Sequence, residues 1–284
     1  MQLNGRLGNQ LFLWAYAHEL AKKFDVPVQP FRDRFHFPRG LSTIFSEGTL
    51  LCENVLPLAD SDSLGFILKV LDKIDSRNRV LAKKLEQALN FERQRDAYEL
   101  AGIKRKPTVV TGYFINAKMV TDNSSHLMKH VEMKFDQLSD EKSYYPELHG
   151  LEYDAVHIRR GDYKSLSDTF GLLDLNWYMR NLDGKKPLVA ATDDLEGSAE
   201  IIKSLNPDFV LDPKYVSPWQ TLKILSTAKC LVLANSTFSW WAGYIGAEKG
   251  NSVVFPRPFY KSEPWRNDVL EFSGINPEVA SFEE

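Results

Sequence analysis

Short apolar runs alternate with helical patterns along the C-terminal half of the chain. Each run is rich in apolar residues and too short for a helix, which is typical of fully buried parallel strands. The runs cover 155–158, 188–191, 209–211, 230–234 and 252–255. Helical patterns lie between several of them, at 198–205, 218–228 and 239–246. This alternation predicts a doubly wound α/β domain, in which ligands bind beyond the carboxyl ends of the strands.

The N-terminal half has a less regular pattern. It predicts a helix over 10–23, a helical region over 64–89 and a strand over 109–114. The core positions expected in the second helical region are Leu68, Leu71, Leu81, Leu85 and Leu89. We place a boundary near residue 150, so that 1–150 form an N-terminal lobe and 151–284 form a C-terminal lobe.

Composition narrows the function classes. The chain has 284 residues, of which 43% are hydrophobic and 26% charged, as in a globular protein with a sizeable core. A net charge of -3 gives no overall field that would attract nucleic acid. The two cysteines, Cys52 and Cys230, provide neither a disulfide framework nor a repeated metal-ligand spacing. Cys230 lies in an apolar run and is expected to be a buried thiol.

No targeting segment or membrane-spanning stretch is visible. The N-terminus lacks a basic segment followed by an apolar one, and no window approaches the ~18 apolar residues of a membrane helix. We therefore expect a cytoplasmic protein. Met1–Leu3 is short for a strand, which leaves open whether residues precede it. Basic clusters at 83–84 and 104–106 favour either a solvated surface or a peripheral contact with a membrane.

Two adjacent arginines follow the first strand of the C-terminal half. The segment is His157-Ile158-Arg159-Arg160-Gly161-Asp162. A guanidinium group presents a planar set of donors that matches phosphate oxygens. At the carboxyl end of a parallel strand, such a pair is well placed to bind a pyrophosphate. The alternative is one surface arginine and one structural salt bridge to Asp162.

A polar cluster follows the run at 230–234 and begins a helix. It contains Asn235, Ser236, Thr237, Phe238 and Ser239. A hydroxyl here can cap the helix, and the positive end of the helix dipole favours an anion. Ordinary capping explains one of the hydroxyl groups but not all three. The next residues, Trp240 and Trp241, are expected to pack in the core.

Two further loops carry candidate ligand-binding residues. Asp193 and Asp194 follow the run at 188–191, where carboxylates can accept hydrogen bonds from a nucleoside, bind a metal ion, or cap a helix. We favour the nucleoside, because the arginines already supply charge to the phosphates. Near the N-terminus, Gly8-Asn9-Gln10 opens a helix after a glycine-rich turn, which can bring backbone amides close to a phosphate.

Together these segments resemble the alpha-1,2-fucosyltransferase family, which is glycosyltransferase family 11. The resemblance rests on four motifs in the family's order and spans nearly the whole chain. The motifs are Gly8–Gln10, His157–Asp162, Thr192–Asp194 and Asn235–Trp241. Thr192 departs from the family's usual serine, and Leu13-Trp14 stands where glutamine and tyrosine are common.

The resemblance implies a GT-B-like fold of two Rossmann-like lobes, with GDP-fucose as the donor. It implies transfer with inversion to the 2-hydroxyl of a galactose-type acceptor, either a galactose-terminated oligosaccharide or a lipid-linked glycan, without a metal ion or other cofactor. The catalytic assignments are Arg159 and Arg160 on the pyrophosphate, with Asp162 and then His157 as candidate bases. The donor-binding assignments are Gly8, Asn9, Gln10, Asp193, Asp194, Asn235, Ser236, Thr237 and Phe238.

Three alternatives stay open. A transferase for another GDP-deoxysugar, such as GDP-colitose, would have the same donor-binding loops. A non-catalytic nucleotide-sugar binder would also share them and differ only in lacking turnover. A metal-dependent transferase would lose its activity in chelator. A glycoside hydrolase is disfavoured, because Asp193 and Asp194 are adjacent rather than opposed across a sugar.

Overall fold

The computed structural model describes residues 1–33, 59–94, 105–139, 145–262 and 270–283. It divides into two compact units, Met1–Val131 and Glu132–Glu284. The division falls within one helix, whereas the sequence pattern placed the boundary near residue 150. Cys52 and Lys104 lie outside the described residues.

Parallel strands form the sheet layer of the N-terminal unit. The strands are β1 (Phe31–Arg32), β2 (Ala59–Asp60), β3 (Phe91–Arg93) and β4 (Val109–Thr111). β1 pairs with β2 and β3 pairs with β4, in both cases parallel. The segment 1–3 joins the two pairs, because the Gln2 amide donates to the Val110 carbonyl while the Leu3 amide donates to the Phe31 carbonyl.

The described residues up to 139 also form five helices. They are α1 (Leu7–Phe24), α2 (Asp62–Asp75), α3 (Arg79–Leu89), α4 (Ala117–Thr121) and α5 (Ser124–Ser139). The predicted helix over 10–23 is confirmed as α1. The helical region over 64–89 is two helices, because α2 ends at Asp75 and Asn78 caps a new helix by accepting a hydrogen bond from the Leu81 amide at 3.0 Å.

That break also explains why part of the predicted core is wrong. Leu68 and Leu71 of α2 are buried, but Leu81 and Leu89 of α3 are 45% and 44% exposed. A new helix start shifts the helical phase, so the buried face of α3 carries Ala82 and Glu86 instead. Leu85 is only partly buried.

The C-terminal unit is built on a six-stranded parallel sheet. The strands are β5 (Asp154–Ile158), β6 (Leu188–Thr192), β7 (Phe209–Leu211), β8 (Cys230–Val232), β9 (Ser252–Arg257) and β10 (Ile275–Val279). Their order in the sheet is β7-β6-β5-β8-β9-β10. This is the strand order of dinucleotide-binding folds, with a topological switch point between β5 and β8. The predicted α/β class, with two lobes and a doubly wound C-terminal sheet, is confirmed.

The five predicted runs are confirmed as β5 to β9, but β10 was missed. Pro277 lies inside it, and most of its residues are exposed. A proline is tolerated there because β10 pairs only with β9 and forms an edge of the sheet.

Helices connect the strands of the C-terminal unit. They are α6 (Ser167–Phe170), α7 (Leu175–Arg180), α8 (Ala199–Leu205), α9 (Pro218–Thr227) and α10 (Thr237–Glu248). Trp240 and Trp241 of α10 are fully buried, as predicted. Cys230 is only partly buried, and burial raises the pKa of its thiol. Within the described ranges, no helix combines the length and apolarity needed to cross a membrane.

Candidate active site

The switch point of the C-terminal sheet brings two of the predicted motifs together. β5 ends at Ile158 and β8 ends at Val232, and the two strands are neighbours. The chain leaves β5 towards β6 on one side, whereas the strands after β8 extend the sheet on the other side. The loops after β5 and β8 therefore leave the sheet in different directions, and open α/β sheets bind ligands at such a switch point.

A polar chain links β5 to the first turn of α10. His157 Nδ1 lies 2.5 Å from Ser239 Oγ, which in turn lies 2.9 Å from Ser236 Oγ. Ser236 caps α10 by accepting a hydrogen bond from the Ser239 amide at 3.0 Å. Burial, and to a smaller degree the nearby Arg159 charge, lowers the pKa of His157 to about 3. This imidazole is consequently neutral across the physiological pH range and fixes the helix start against the strand.

Arg159 lies on the outer side of the β5 loop. Its guanidinium contacts the carboxylate of Asp162 and lies 2.9 Å from Asp193 Oδ2. It also packs over the Tyr163 ring, 5.0 Å from the ring centroid. Arg159 Nε is buried and has no hydrogen-bond partner within the described part of the chain. The structure thus holds one arginine between two carboxylates at the switch point, and one of its donors makes no hydrogen bond to the described residues.

Arg160 turns in the opposite direction, into the protein. Its side chain is 2% exposed, and Nη2 donates to the Leu173 carbonyl at 2.8 Å and to Glu283 Oε1 at 2.5 Å. Nη1 donates to the Arg159 carbonyl at 3.3 Å. The sequence assigned both arginines to a pyrophosphate, but the guanidinium of Arg160 is occupied by protein groups in this conformation. Its predicted catalytic role stays a prediction.

The acidic segment after β6 supports the β5 loop. Asp193 Oδ1 accepts a hydrogen bond from the Arg160 amide at 3.0 Å. A Cβ at Gly161 would lie 2.1 Å from Asp193 Oδ2, so a larger residue there would displace the Asp193 carboxylate from its contacts with the β5 loop. Asp194 accepts from the Gly197 amide at 2.9 Å and pairs with Lys164 Nζ at 2.9 Å, and these contacts lower its pKa. Both carboxylates thus contact the protein, and nucleoside binding by them stays a prediction.

The segment after β8 is also held by hydrogen bonds to neighbouring loops. Asn235 is buried and donates through Nδ2 to the carbonyls of Phe170 and Phe259, at 2.7 and 3.0 Å. Its own carbonyl accepts from the Tyr163 hydroxyl at 2.9 Å, which ties the β8 loop to the β5 loop. Thr237 is the first residue of α10. The Phe238 ring lies 5.2 Å from the His157 ring, so the aromatic side chain covers the link between β5 and α10.

Gly8, Asn9 and Gln10 belong to the N-terminal unit, where they form the first turn of α1. Gln10 Nε2 donates to the Gly5 carbonyl at 3.1 Å. Gly5 has a φ of 70°, and a Cβ there would lie 2.2 Å from Asn9 Nδ2. A glycine is therefore needed for the close turn, as expected from the sequence. Arg6, at the N-cap position, makes no side-chain capping hydrogen bond.

Sequence reasoning missed the C-terminal tail as part of the site. After β10, the chain runs along the segment before α7, where Asp174 donates its amide to the Ser281 carbonyl and Glu283 donates its amide to the Leu172 carbonyl. This places the Glu283 carboxylate on Arg160. No local pattern marks Glu283, because its partner is 123 positions away in the sequence. Among the described residues, no group of three or more His, Cys, Asp or Glu side chains is arranged to hold a metal ion.

Comparison with known proteins identifies the family to which the chain is similar. The model of glycosyl transferase family 11 matches residues 1–267. The chain is 22% identical over 282 residues to alpha-1,2-colitosyltransferase of Escherichia coli, a match that covers 92% of each protein. It is 26% identical over 117 residues to the O-antigen biosynthesis glycosyltransferase WbnK of Escherichia coli, which covers 37% of this chain and 38% of WbnK.

Solved structures with a similar arrangement include the fucosyltransferase NodZ from Bradyrhizobium. The sequence identity is 13% and the TM-score is 0.47, over 87% of this chain and 91% of NodZ.

Proposed function

The chain belongs to glycosyl transferase family 11, and we propose that it transfers L-fucose from GDP-fucose to the 2-hydroxyl of a galactose-type acceptor. The transfer inverts the anomeric centre and needs no metal ion. The observation that carries the proposal is the switch point, where Arg159 and the start of α10 follow adjacent strands of the sheet. A pyrophosphate is the ligand that these two features suit best.

In this proposal the leaving group is stabilised by fixed positive charge. As the bond between fucose and GDP breaks, negative charge develops on the β-phosphate oxygens and positive charge on the anomeric carbon. Arg159 exchanges its carboxylate partners for the phosphate, and the positive end of the α10 dipole supplements it. The Ser236 and Thr237 hydroxyl groups complete the phosphate site. This arrangement supplies the charge that a metal ion supplies in other transferases.

The candidate base is Asp162. Its carboxylate is half-exposed beside Arg159, where it can accept the proton of the acceptor hydroxyl. His157 is a poor base, because an imidazole with a pKa of about 3 gains little by taking up a proton at neutral pH. His157 therefore serves as a positioning residue for Ser239 and α10, while Arg160 positions the loop that carries Arg159.

Two donors are consistent with this site. GDP-fucose follows from the four family motifs, and GDP-colitose is favoured by the 22% identity to an alpha-1,2-colitosyltransferase over 92% of the chain. Both are GDP-deoxysugars, so the pyrophosphate and guanine contacts are common to the two. The acceptor is a glycan with terminal galactose, either free or linked to a lipid.

The decisive experiment measures GDP release from GDP-fucose, with and without a galactose-terminated acceptor, in the presence of EDTA. GDP-colitose is assayed in parallel. We expect acceptor-dependent release, and NMR of the product identifies the linkage and its anomeric configuration. If GDP-colitose is turned over faster than GDP-fucose, GDP-colitose is the donor. Loss of turnover in EDTA would overturn the metal-independent mechanism. Binding of either donor without turnover on any galactose-terminated acceptor would favour a binding protein instead.

The role of Asp162 is tested in the same assay. Asp162→Asn removes the base and is expected to reduce turnover by about two to four orders of magnitude. Asp168→Asn is the matched control, since Asp168 is an exposed carboxylate on the adjoining helix α6. Equal activity of the two variants would place the base elsewhere.

A further inference from the structure

We propose that the hairpin formed by α2 and α3 binds the surface of an anionic lipid bilayer. This inference does not rest on the proposed donor or acceptor, because it concerns a surface of the N-terminal unit that the motifs do not include. It rests on three observations about the two helices: the apolar side chains that they expose, the cations beside these side chains, and the neutralisation of nearby carboxylates.

The hairpin exposes a concentration of large apolar side chains. Six of the thirteen large apolar side chains that are exposed in the described parts of the chain lie on these two helices. Their exposed fractions range from 36% to 67%. They are Phe66, Ile67, Val70, Val80, Leu81 and Leu89. Scattered apolar residues on a surface need no explanation, but a concentration on two helices that pack together favours an interaction site.

Exposed cations lie among these apolar side chains. Lys73 follows Val70 by three positions on α2, and Lys84 follows Val80 by four positions on α3, so each lysine is on the same flank as an exposed valine. Further exposed cations on the hairpin are Lys69, Arg77, Arg79 and Lys83. Apolar side chains flanked by lysine and arginine are typical of helices that lie in the interface of an anionic membrane.

The fold brings the second basic cluster to the same place. Arg105 Nη2 donates to the Gln87 carbonyl in the last turn of α3 at 2.8 Å. The carbonyl of Lys106 accepts a hydrogen bond from Asn90, which ends α3, also at 2.8 Å. Both side chains are exposed. The clusters at 83–84 and 105–106, which are separate in sequence, therefore converge on one helix.

Part of the negative charge near the hairpin is neutralised within the fold. Glu86 is buried and its Oε1 lies 2.7 Å from Arg93 Nε. Arg93 also pairs with Asp72. Over residues 62–89, six lysines and arginines exceed four aspartates and glutamates, so the hairpin has a local charge of +2, although the whole chain has a net charge of -3. A local positive charge complements the phosphate headgroups of an anionic leaflet.

The dimensions of the helices define the kind of membrane contact. α2 has 14 residues and α3 has 11, whereas a spanning helix needs about 20. They can therefore only lie along the interface, with apolar side chains among the headgroups and acyl chains and the cations at the phosphate level. Such binding is reversible and sensitive to salt and to lipid charge.

Vesicle flotation with the full chain tests the proposal. We expect the protein to float with vesicles of phosphatidylcholine and phosphatidylglycerol, to float little with phosphatidylcholine alone, and to be released by 0.5 M salt. Replacing Lys83 and Lys84 by Gln is expected to weaken partitioning roughly 25-fold, because each lysine near an anionic surface is worth about five-fold. The matched control replaces the exposed Lys203 and Lys214 of the C-terminal unit by Gln and should partition like the wild type.

A second set of variants separates apolar from electrostatic binding. The triple variant Val70→Ser, Val80→Ser and Leu81→Ser removes exposed apolar groups and should also abolish flotation. Its control, Leu151→Ser with Met179→Ser, removes exposed apolar groups from the C-terminal unit. GDP release on a water-soluble acceptor should be unchanged in all four variants, which separates this inference from the proposed function. No flotation of the wild type, flotation without preference for anionic lipid, or a dimer in solution that the triple variant dissociates would overturn the proposal.

Discussion

The loop after β5 has two sides that differ in chemistry although each is centred on an arginine. On the outer side, Arg159 is held between carboxylates at the switch point, and one of its donors lacks a hydrogen-bond partner in the described structure. On the inner side, Arg160 is nine-tenths buried or more, and its guanidinium donates to backbone carbonyls and to Glu283. The same residue type at adjacent positions is thus placed to do two different tasks.

The two sides of the loop have complementary roles in the proposed binding of a charged ligand by Arg159. An arginine side chain is long and flexible, so holding Arg159 in one position costs side-chain entropy. Arg160 fixes the backbone that carries Arg159, and Asp193 accepts from the Arg160 amide on the same loop. The inner side supplies rigidity, and the outer side supplies the charge that the proposed reaction needs.

The largest expected effect comes from the outer side. Arg159→Ala should reduce acceptor-dependent GDP release by about 100- to 1000-fold, because it removes a donor aimed at developing charge. The free energy of unfolding should also fall, by about 1 to 3 kcal/mol, because the Asp193 carboxylate is only 14% exposed and loses this partner. Arg257→Ala, at an exposed arginine of the same unit, is the control for charge. Unchanged turnover in Arg159→Ala would mean that Arg159 does not stabilise the leaving group.

A substitution on the inner side should mainly lower the free energy of unfolding. Arg160→Ala deprives the Leu173 carbonyl of a donor and leaves Glu283 without its ion-pair partner. We expect a loss of about 3 kcal/mol in the free energy of unfolding, the low end of the range for a broken buried pair, because Glu283 is 44% exposed. Urea denaturation measures this loss. If Arg160→Ala loses turnover with no change in the free energy of unfolding, Arg160 binds the ligand and the two sides are not distinct.

The sequence allowed the sheet to be predicted but not the division between these two sides. Buried parallel strands are continuous apolar runs, so β5 to β9 were visible, whereas Pro277 and exposed residues concealed the edge strand β10. The motifs were correctly placed at strand ends because parallel strands share one carboxyl edge. The direction in which Arg160 points depends on Glu283, which is 123 positions distant, and no local pattern encodes that contact.

A smaller effect is expected from the polar chain that joins the β5 loop to α10. Burial lowers the pKa of His157 to about 3 in the folded protein, from the ordinary value of 6.5. Below pH 6.5 the unfolded chain takes up a proton that the folded protein does not, so stability is lost as the pH falls towards 3. The contribution of His157 at pH 5 is a loss of about 2 kcal/mol relative to neutral pH.

Urea denaturation of the wild type and of His157→Gln, at pH 7 and at pH 5, measures this contribution. His18 and His126 also have lowered pKa values, and the difference between the two proteins separates His157 from them. The pH-dependent loss should be smaller in the variant by about 2 kcal/mol. Equal losses in the two proteins would mean that His157 is protonated in the fold and that it does not link β5 to α10 as a neutral group.

The smallest effect should come from the exposed end of the inner side. Glu283→Gln keeps an oxygen that can accept from Arg160 but removes the charge, and solvent screens an ion pair whose acidic partner is 44% exposed. We expect a loss of about 1 kcal/mol in the free energy of unfolding at low salt. In 1 M salt the variant and the wild type should converge, because the charge contribution is screened. Glu278→Gln, at an exposed position of β10, is the control.

The salt dependence distinguishes the two partners of the inner side. The loss in Arg160→Ala should persist in 1 M salt, because the Leu173 carbonyl still lacks its donor when the charges are screened. If Glu283→Gln is as destabilising as Arg160→Ala and equally insensitive to salt, the carboxylate is the main anchor of Arg160 and the C-terminal tail is required to hold the loop. If salt reduces the loss of unfolding free energy only in Glu283→Gln, the backbone carbonyls hold Arg160 and the C-terminal tail only reinforces them.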